Sequence, residues 1–203
     1  MTDITPYQVL PDNPPTAEYI RPRLLMAGTA LASAAVAMGF LALIAYYVAE
    51  RAAVIQTGEI WLPDGVVIPL TQPNFMGVTM AFSVITVWWS VASVRDGERM
   101  NSYAAFGLTL LFGFAYIAQT AFLLTIMEME ILTSERSMLI YGVIGTHIVF
   151  TVVAMAYLLI MCLRTMGGEY TSEYFEGVRS SAMFWTVIVA LYGVLWYVIY
   201  ITK

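Results

Sequence analysis

Apolar residues run along this chain in five long stretches, each bounded by short polar or charged segments. Free of Asp, Glu, Lys and Arg, the stretches cover 24–49, 75–94, 100–127, 137–163 and 180–202. A bilayer core about 30 Å thick needs roughly 20 apolar residues in a helix, and every stretch meets that length. A segment in lipid has no water to satisfy its backbone, so it must pair within itself, which selects helices. The pattern predicts an all-α fold: a polytopic membrane protein, an antiparallel bundle of five transmembrane helices over 24–203. A polar N-terminal tail over 1–23, with Pro6, Pro11, Pro14, Pro15 and Pro22, is expected to be extended. The first stretch is too long for a signal peptide and is followed by further spans. Arg95-Asp96-Gly97-Glu98-Arg99 reads as a tight turn between antiparallel helices. The longer connection over 59–70 offers Trp61 as an interfacial anchor and Pro63-Asp64-Gly65 as a turn. No internal repeat suggests an inverted-repeat transporter.

Within the spans two stripes stand out. The first helix carries Gly28, Ala32, Ala35, Gly39 and Ala42 on one face. Helices in lipid are not driven together by the hydrophobic effect, so small residues matter because they let backbones approach. That face is expected to meet protein, as a seam within the chain or a seam to another subunit. The fifth helix carries Trp185, Tyr192, Trp196 and Tyr200 on one face, widened by Phe184 and Tyr197. An aromatic stripe there reads as a packing surface or an interfacial belt rather than a cofactor cradle. Polar groups inside the spans are few, among them Ser83, Thr86, Gln119, Thr146, His147 and Thr151. Gln119 and His147 fall at similar depth on consecutive antiparallel helices, roughly 12–15 Å from one boundary at 1.5 Å per residue. The expectation is a structural hydrogen bond from a neutral His147 to Gln119 or a nearby carbonyl, fixing the register of that hairpin.

Composition sharpens the picture. Of 203 residues, 60% are hydrophobic and 11% charged, with one histidine and one cysteine, Cys162. That inventory cannot supply paired haem-ligating histidines, a multi-histidine copper site, an iron–sulfur cluster or a structural zinc site, and no disulfide can close within the chain. The net charge of −5 without a basic cluster speaks against nucleic acid. With no formal charge inside the spans, the intramembrane carboxylates, arginines or lysines of pumps, coupled transporters and voltage sensors are missing. So are the lysine of a retinal protein and the Ser/His or paired Asp of an intramembrane protease. The chain is expected to bind no cofactor and hold no metal or catalytic residue.

Arg21, Arg23, Arg95, Arg99, Arg164 and Arg179 fall on one side, Arg51, Arg136 and Lys203 on the other. The bias predicts a cytoplasmic N-terminus and an external C-terminus. Glu50, Glu59, Asp64, Glu128, Glu130 and Glu135 make the external side acidic. Such a surface is a solvated rim or a landing place for a basic partner such as a cytochrome c.

These residues resemble a known family, subunit III of the haem-copper oxidases that use cytochrome c or quinol, in its short five-helix bacterial form. The resemblance runs through the first helix, from Arg21-Pro22 by way of Gly28-Thr29, Met38, Phe40, Ala45 and Tyr47 to Arg51. It continues in Trp61, Pro69-Leu70 and Asn74, in Gly145-Thr146-His147, and in Phe184-Trp185 and Tyr200. Gln119 stands where the family has a Gly-Gln pair, with Ala118 replacing the glycine. The sequence departs from the family at five polar positions. Val36 and Phe122 replace glutamates, Phe150 and Thr186 replace histidines, and Val189 replaces an aspartate. The resemblance implies an accessory, non-catalytic subunit in a bacterial plasma membrane, with haem and copper in partner subunits. Its partners would be the catalytic and electron-entry subunits and membrane phospholipid, with a cytochrome c or bc complex nearby. The departures argue against proton handling through those groups. Two alternatives are a structural subunit of another respiratory or photosynthetic complex and a small homo-oligomeric transporter.

Overall fold

A computed structural model describes residues 24–62, 66, 68–127 and 134–202. Its helices are α1 (Leu24–Gln56), α2 (Thr71–Arg95), α3 (Arg99–Ile126), α4 (Glu135–Met166) and α5 (Glu176–Leu195), and α5 runs on into a π-helical turn, Trp196–Ile201. All five are long and apolar enough to cross a membrane, and no strand occurs among the described residues. The chain is a multi-pass helical membrane protein, as the apolar stretches predict. The helices extend beyond the charge-free runs: α1 takes in Glu50 and Arg51, and α4 starts at Glu135. Charges are tolerated in a terminal turn because long side chains reach the polar boundary from there. The tail over 1–23, the Pro63-Asp64-Gly65 turn, Glu128, Glu130 and Lys203 lie outside the described residues.

The helices close a ring in the order α1, α5, α2, α3, α4 and back to α1, with α4 and α5 also meeting across it. Consecutive helices are neighbours except for the first pair, which α5 separates. The 57–70 connection therefore has farther to go than the other joints. Trp61 on this connection is folded inward, 4% exposed, rather than facing lipid headgroups. Its indole N–H donates to Tyr47 Oη at 3.0 Å, and the two rings meet edge to face with centroids 5.4 Å apart.

The 95–99 joint is a tight turn with a definite cause. Gly97 takes φ +78°, its N–H donates to the Val94 carbonyl, and Glu98 N–H donates to the Ser93 carbonyl. This Schellman arrangement needs a left-handed residue, which glycine adopts without penalty. Gly168 repeats it at the end of α4, with φ +81° and paired bonds to Thr165 and Arg164 carbonyls.

The interior is filled by Phe40, Tyr47, Met76, Met80, Phe106, Tyr116, Ile140, Trp185 and Tyr200. Large apolar side chains also cover the outside, including Leu31, Met38, Phe75, Ile85, Phe114 and Val152. Such an exterior suits acyl chains, which are as apolar as leucine.

Candidate functional site

The polar groups buried in this bundle form a set of bridges between helices. His147 on α4 is fully buried at their centre. Its Nε2 lies 3.1 Å from the Ile188 carbonyl on α5, and its Nδ1 lies 2.8 Å from Tyr116 Oη on α3. A carbonyl only accepts, so Nε2 carries the proton and Tyr116 O–H donates to Nδ1. Phe40, Tyr116 and Tyr192 surround the imidazole, with ring centroids 5.5–5.8 Å away. Both nitrogens of the only histidine are thus engaged by protein groups. No cluster of His, Cys, Asp and Glu fit to hold a metal occurs among the described residues.

His147 does not pair with Gln119. Gln119 lies about 60° round α3 from Tyr116, since each residue advances a helix by roughly 100°. That rotation turns it toward α2, where its amide exchanges hydrogen bonds with Thr79 Oγ1 at 3.2–3.3 Å. A nearby carbonyl does serve His147, but it belongs to α5. The contact therefore ties three helices rather than setting the register of one hairpin.

Every contact round the ring carries at least one such bond. Trp185 N–H donates to Ser83 Oγ (2.9 Å) and Tyr192 O–H to the Pro73 carbonyl (2.6 Å), joining α5 to α2. Thr86 and Thr109 hydroxyls meet at 2.8 Å between α2 and α3. Thr29 and Tyr157 hydroxyls meet at 3.1 Å between α1 and α4. Arg51 Nη1 donates to Thr202 Oγ1 (2.6 Å) and Met26 N–H to Glu176 (2.8 Å), joining α1 to the α5 segment. Interhelical bonds of this kind contribute about 0.6 kcal/mol on average and up to about 1.7. Their main effect is to select one rotation of each helix.

The α1 stripe lies elsewhere than an internal seam requires. Gly28, Ala32, Ala35, Gly39 and Ala42 are all exposed. A Cβ built on Gly28 or Gly39 would meet nothing within 4 Å. The face that α1 buries carries Thr29, Ser33, Phe40, Ile44 and Tyr47, rotated by one residue from the stripe. Phe40, Ile44 and Tyr47 have the bulk to fill the space toward α4 and α5, and Thr29 has a hydroxyl to give Tyr157. The aromatic stripe of α5 faces inward. Trp185, Tyr192 and Tyr200 are buried, and half-buried Trp196 donates its N–H to Asn74 Oδ1 at 2.9 Å.

Tyr116 and Ser83 are the partners that sequence spacing missed or left unpaired. Tyr116 lies one turn from Gln119 on α3, but its choice of His147 depends on how far α3 is rotated. The five departures sit in apolar or neutral surroundings. Phe150 packs against Phe40 with centroids 6.2 Å apart. Thr186 Oγ1 accepts the Trp88 N–H at 3.0 Å and donates to the Ala182 carbonyl. Val36 and Val189 are half-buried and Phe122 is exposed. Ion pairs are confined to the ends of the bundle: Arg95–Asp96, Arg136–Glu59 and Arg164–Glu169 among the described residues.

The arrangement defines a class: a polytopic helical membrane protein whose buried polar groups hold helices together, leaving one small-residue face open. The family model for cytochrome c oxidase subunit III matches residues 23–203. The chain belongs to that family. Similar proteins include cytochrome c oxidase subunit 3 from Carassius auratus and Squalus acanthias, each 24% identical over 160 residues. The same protein from Tetraodon nigroviridis is 26% identical over 160 residues. These alignments take in 78% of this chain and 60% of each relative. The chain thus spans about 60% of the length of the relatives it matches.

Proposed function

We propose that this chain is an accessory, non-catalytic subunit of a haem-copper terminal oxidase in an aerobic respiratory chain. The observation that carries the reading is the family match over nearly all its residues. The chemistry agrees: the single imidazole is fully engaged between Tyr116 and Ile188 and is not free to serve an electron-transfer centre. Haem and copper then reside in the catalytic and electron-entry subunits, which are its partners. Its contribution is mechanical. It covers part of the catalytic subunit's lipid-facing wall, keeps those helices in register and holds phospholipid beside them.

The exposed face of α1 is the contact this reading favours. The α5 aromatics are spent on internal packing, whereas Gly28, Ala32, Ala35, Gly39 and Ala42 leave room for a partner helix to approach. The charge bias supports a cytoplasmic N-terminus with the 57–70 connection outside, and the resemblance to the short five-helix form supports a bacterial plasma membrane.

Affinity purification from native membranes tests the reading. Haem absorbance and a large haem-binding polypeptide should co-purify with the chain, and a haem-free homo-oligomer would overturn it. Ala35→Leu and Gly39→Leu should each lower the yield of complex about fivefold or more, through steric overpacking of about 1–3 kcal/mol at the seam. Insertion should be unaffected, because neither change adds polarity. Undiminished yield from both variants would remove α1 from the interface.

A further inference from the structure

A cavity of about 1130 Å³ opens at one end of the bundle, between the C-terminal part of α1, the start of α4 and residues 59–62 of the connection. The α1–α4 contacts made by Thr29 with Tyr157 and by Phe40 with Phe150 lie farther along the helices, toward the middle and the opposite end. At the cavity the connection stands beside both helices. Arg136 ties it to α4 by donating to the Ile60 carbonyl at 2.8 Å and pairing with Glu59. Glu50, Glu59 and Glu135 line the space with Arg136 as the single base, which leaves an excess of two negative charges. Neither Glu50 nor Glu135 has an ion-pair partner among the described residues. Tyr46 stands between them and the open face of α1, 56% exposed.

We propose that this cleft receives the basic end of a transmembrane helix from a partner subunit, with a lysine or arginine of that helix placed between Glu50 and Glu135 and beside Tyr46. The inference rests on the proposed seam along α1 and names the chemistry of the partner at its end. Continuity of the face is the first argument. At about 100° per residue, Tyr46 falls on the centre line of the Gly28, Ala32, Ala35, Gly39 and Ala42 stripe, and Glu50 about 40° from it. A helix lying on that stripe therefore runs into the cleft, roughly 16 Å beyond Gly39 at 1.5 Å per residue. Size is the second. A helix 10 Å across fills about 420 Å³ per turn, so the cavity admits a helix end with its side chains. A bare metal ion is a poor occupant by comparison, since no cluster of carboxylates, His or Cys fit to hold one occurs among the described residues. Charge is the third: two carboxylates without a counter-ion and an exposed phenol ring suit an ammonium or guanidinium group, which gains from both. The cleft also supplies what the stripe lacks. Glycine and alanine form a smooth face along which a partner helix can slip by a turn, whereas a charge clamp at one end fixes the register.

Photo-crosslinking in native membranes provides the test, with the full chain carrying p-benzoylphenylalanine in place of Tyr46. Mass spectrometry should find the adduct on the end of a transmembrane helix of another subunit, with a lysine or arginine within one turn of the linked residue. Glu50→Gln together with Glu135→Gln should lower the adduct yield about fivefold. Both side chains are exposed, so these variants keep the fold. Washing the membranes in 1 M salt should lower the yield similarly with both glutamates present, because the screening length falls from about 8 Å to about 3 Å. Adducts confined to lipid, to a soluble basic protein or to a segment without a nearby base would overturn the proposal. So would a yield that neither the glutamine variants nor salt reduces. Loss of complex in Ala35→Leu and Gly39→Leu, with the adduct indifferent to charge, would overturn the clamp and leave the α1 seam standing. An adduct of the expected kind in chains whose Ala35→Leu and Gly39→Leu variants assemble fully would overturn the continuity of cleft and seam.

Discussion

Gly113 on α3 lies under the tip of Trp185 and the side chain of Met155, and replacing it probes how tightly the bundle is specified. A methyl group there would stand 2.8 Å from Met155 Sδ, 3.1 Å from Met155 Cγ and 3.0 Å from Trp185 Cη2. The two neighbours differ in their freedom to retreat. Trp185 is fully buried and gives its N–H to Ser83 at 2.9 Å, so moving the ring breaks a bond across to α2. Met155 is an unbranched thioether that can change rotamer. Overpacking by a methyl costs about 1–3 kcal/mol, and alanine's helix advantage over glycine returns up to about 1. Gly113→Ala should therefore lose about 1–2 kcal/mol. Gly107 on the same helix is the control, because a Cβ there meets nothing within 4 Å; Gly107→Ala should be neutral or slightly stabilising. Adding Met155→Ala to Gly113→Ala should recover most of the loss relative to Met155→Ala alone, a coupling of about 1 kcal/mol in a double-mutant cycle. Unfolding in mixed micelles titrated with dodecyl sulfate, followed by tryptophan fluorescence, measures all four. Equal stability of the Gly113 and Gly107 variants, or absence of coupling to Met155, would refute the close packing of α3, α4 and α5.

Two further substitutions test the polar bridges. His147→Ala removes both bonds of the imidazole and strands the Tyr116 hydroxyl in the core, for a loss of about 2–3 kcal/mol in the same assay. The haem spectra of complexes that still assemble should be unchanged, and loss of haem from them would contradict a structural role. Tyr192→Phe and Tyr200→Phe form a matched pair. Tyr192 donates to the Pro73 carbonyl at 2.6 Å, whereas the buried Tyr200 hydroxyl has no partner among the described residues. The first should cost about 1 kcal/mol and the second nothing, or stabilise slightly. Equal losses would show that the Tyr200 hydroxyl is hydrogen-bonded in the folded chain.

Amino-acid order alone determined that this chain crosses a membrane five times as helices. That conclusion follows from counting the length of apolar runs against bilayer thickness. The Gly97 turn was equally readable, because a left-handed residue between antiparallel helices has few solutions. Helix rotation was not readable. In lipid both sides of a helix are apolar, so hydrophobic periodicity does not mark the buried face as it does in water. A difference of one residue, about 100°, separates the small stripe of α1 from the face that α1 buries, and sequence alone could not say which was internal. Gln119 and His147 failed to meet for the same reason: their depths agree, but α3 is turned so that Tyr116 faces α4 and Gln119 faces α2. Composition and span length fixed the kind of protein. Only tertiary packing, through side-chain bulk and a few directional hydrogen bonds, decided which face of each helix was spent inside and which remained exposed.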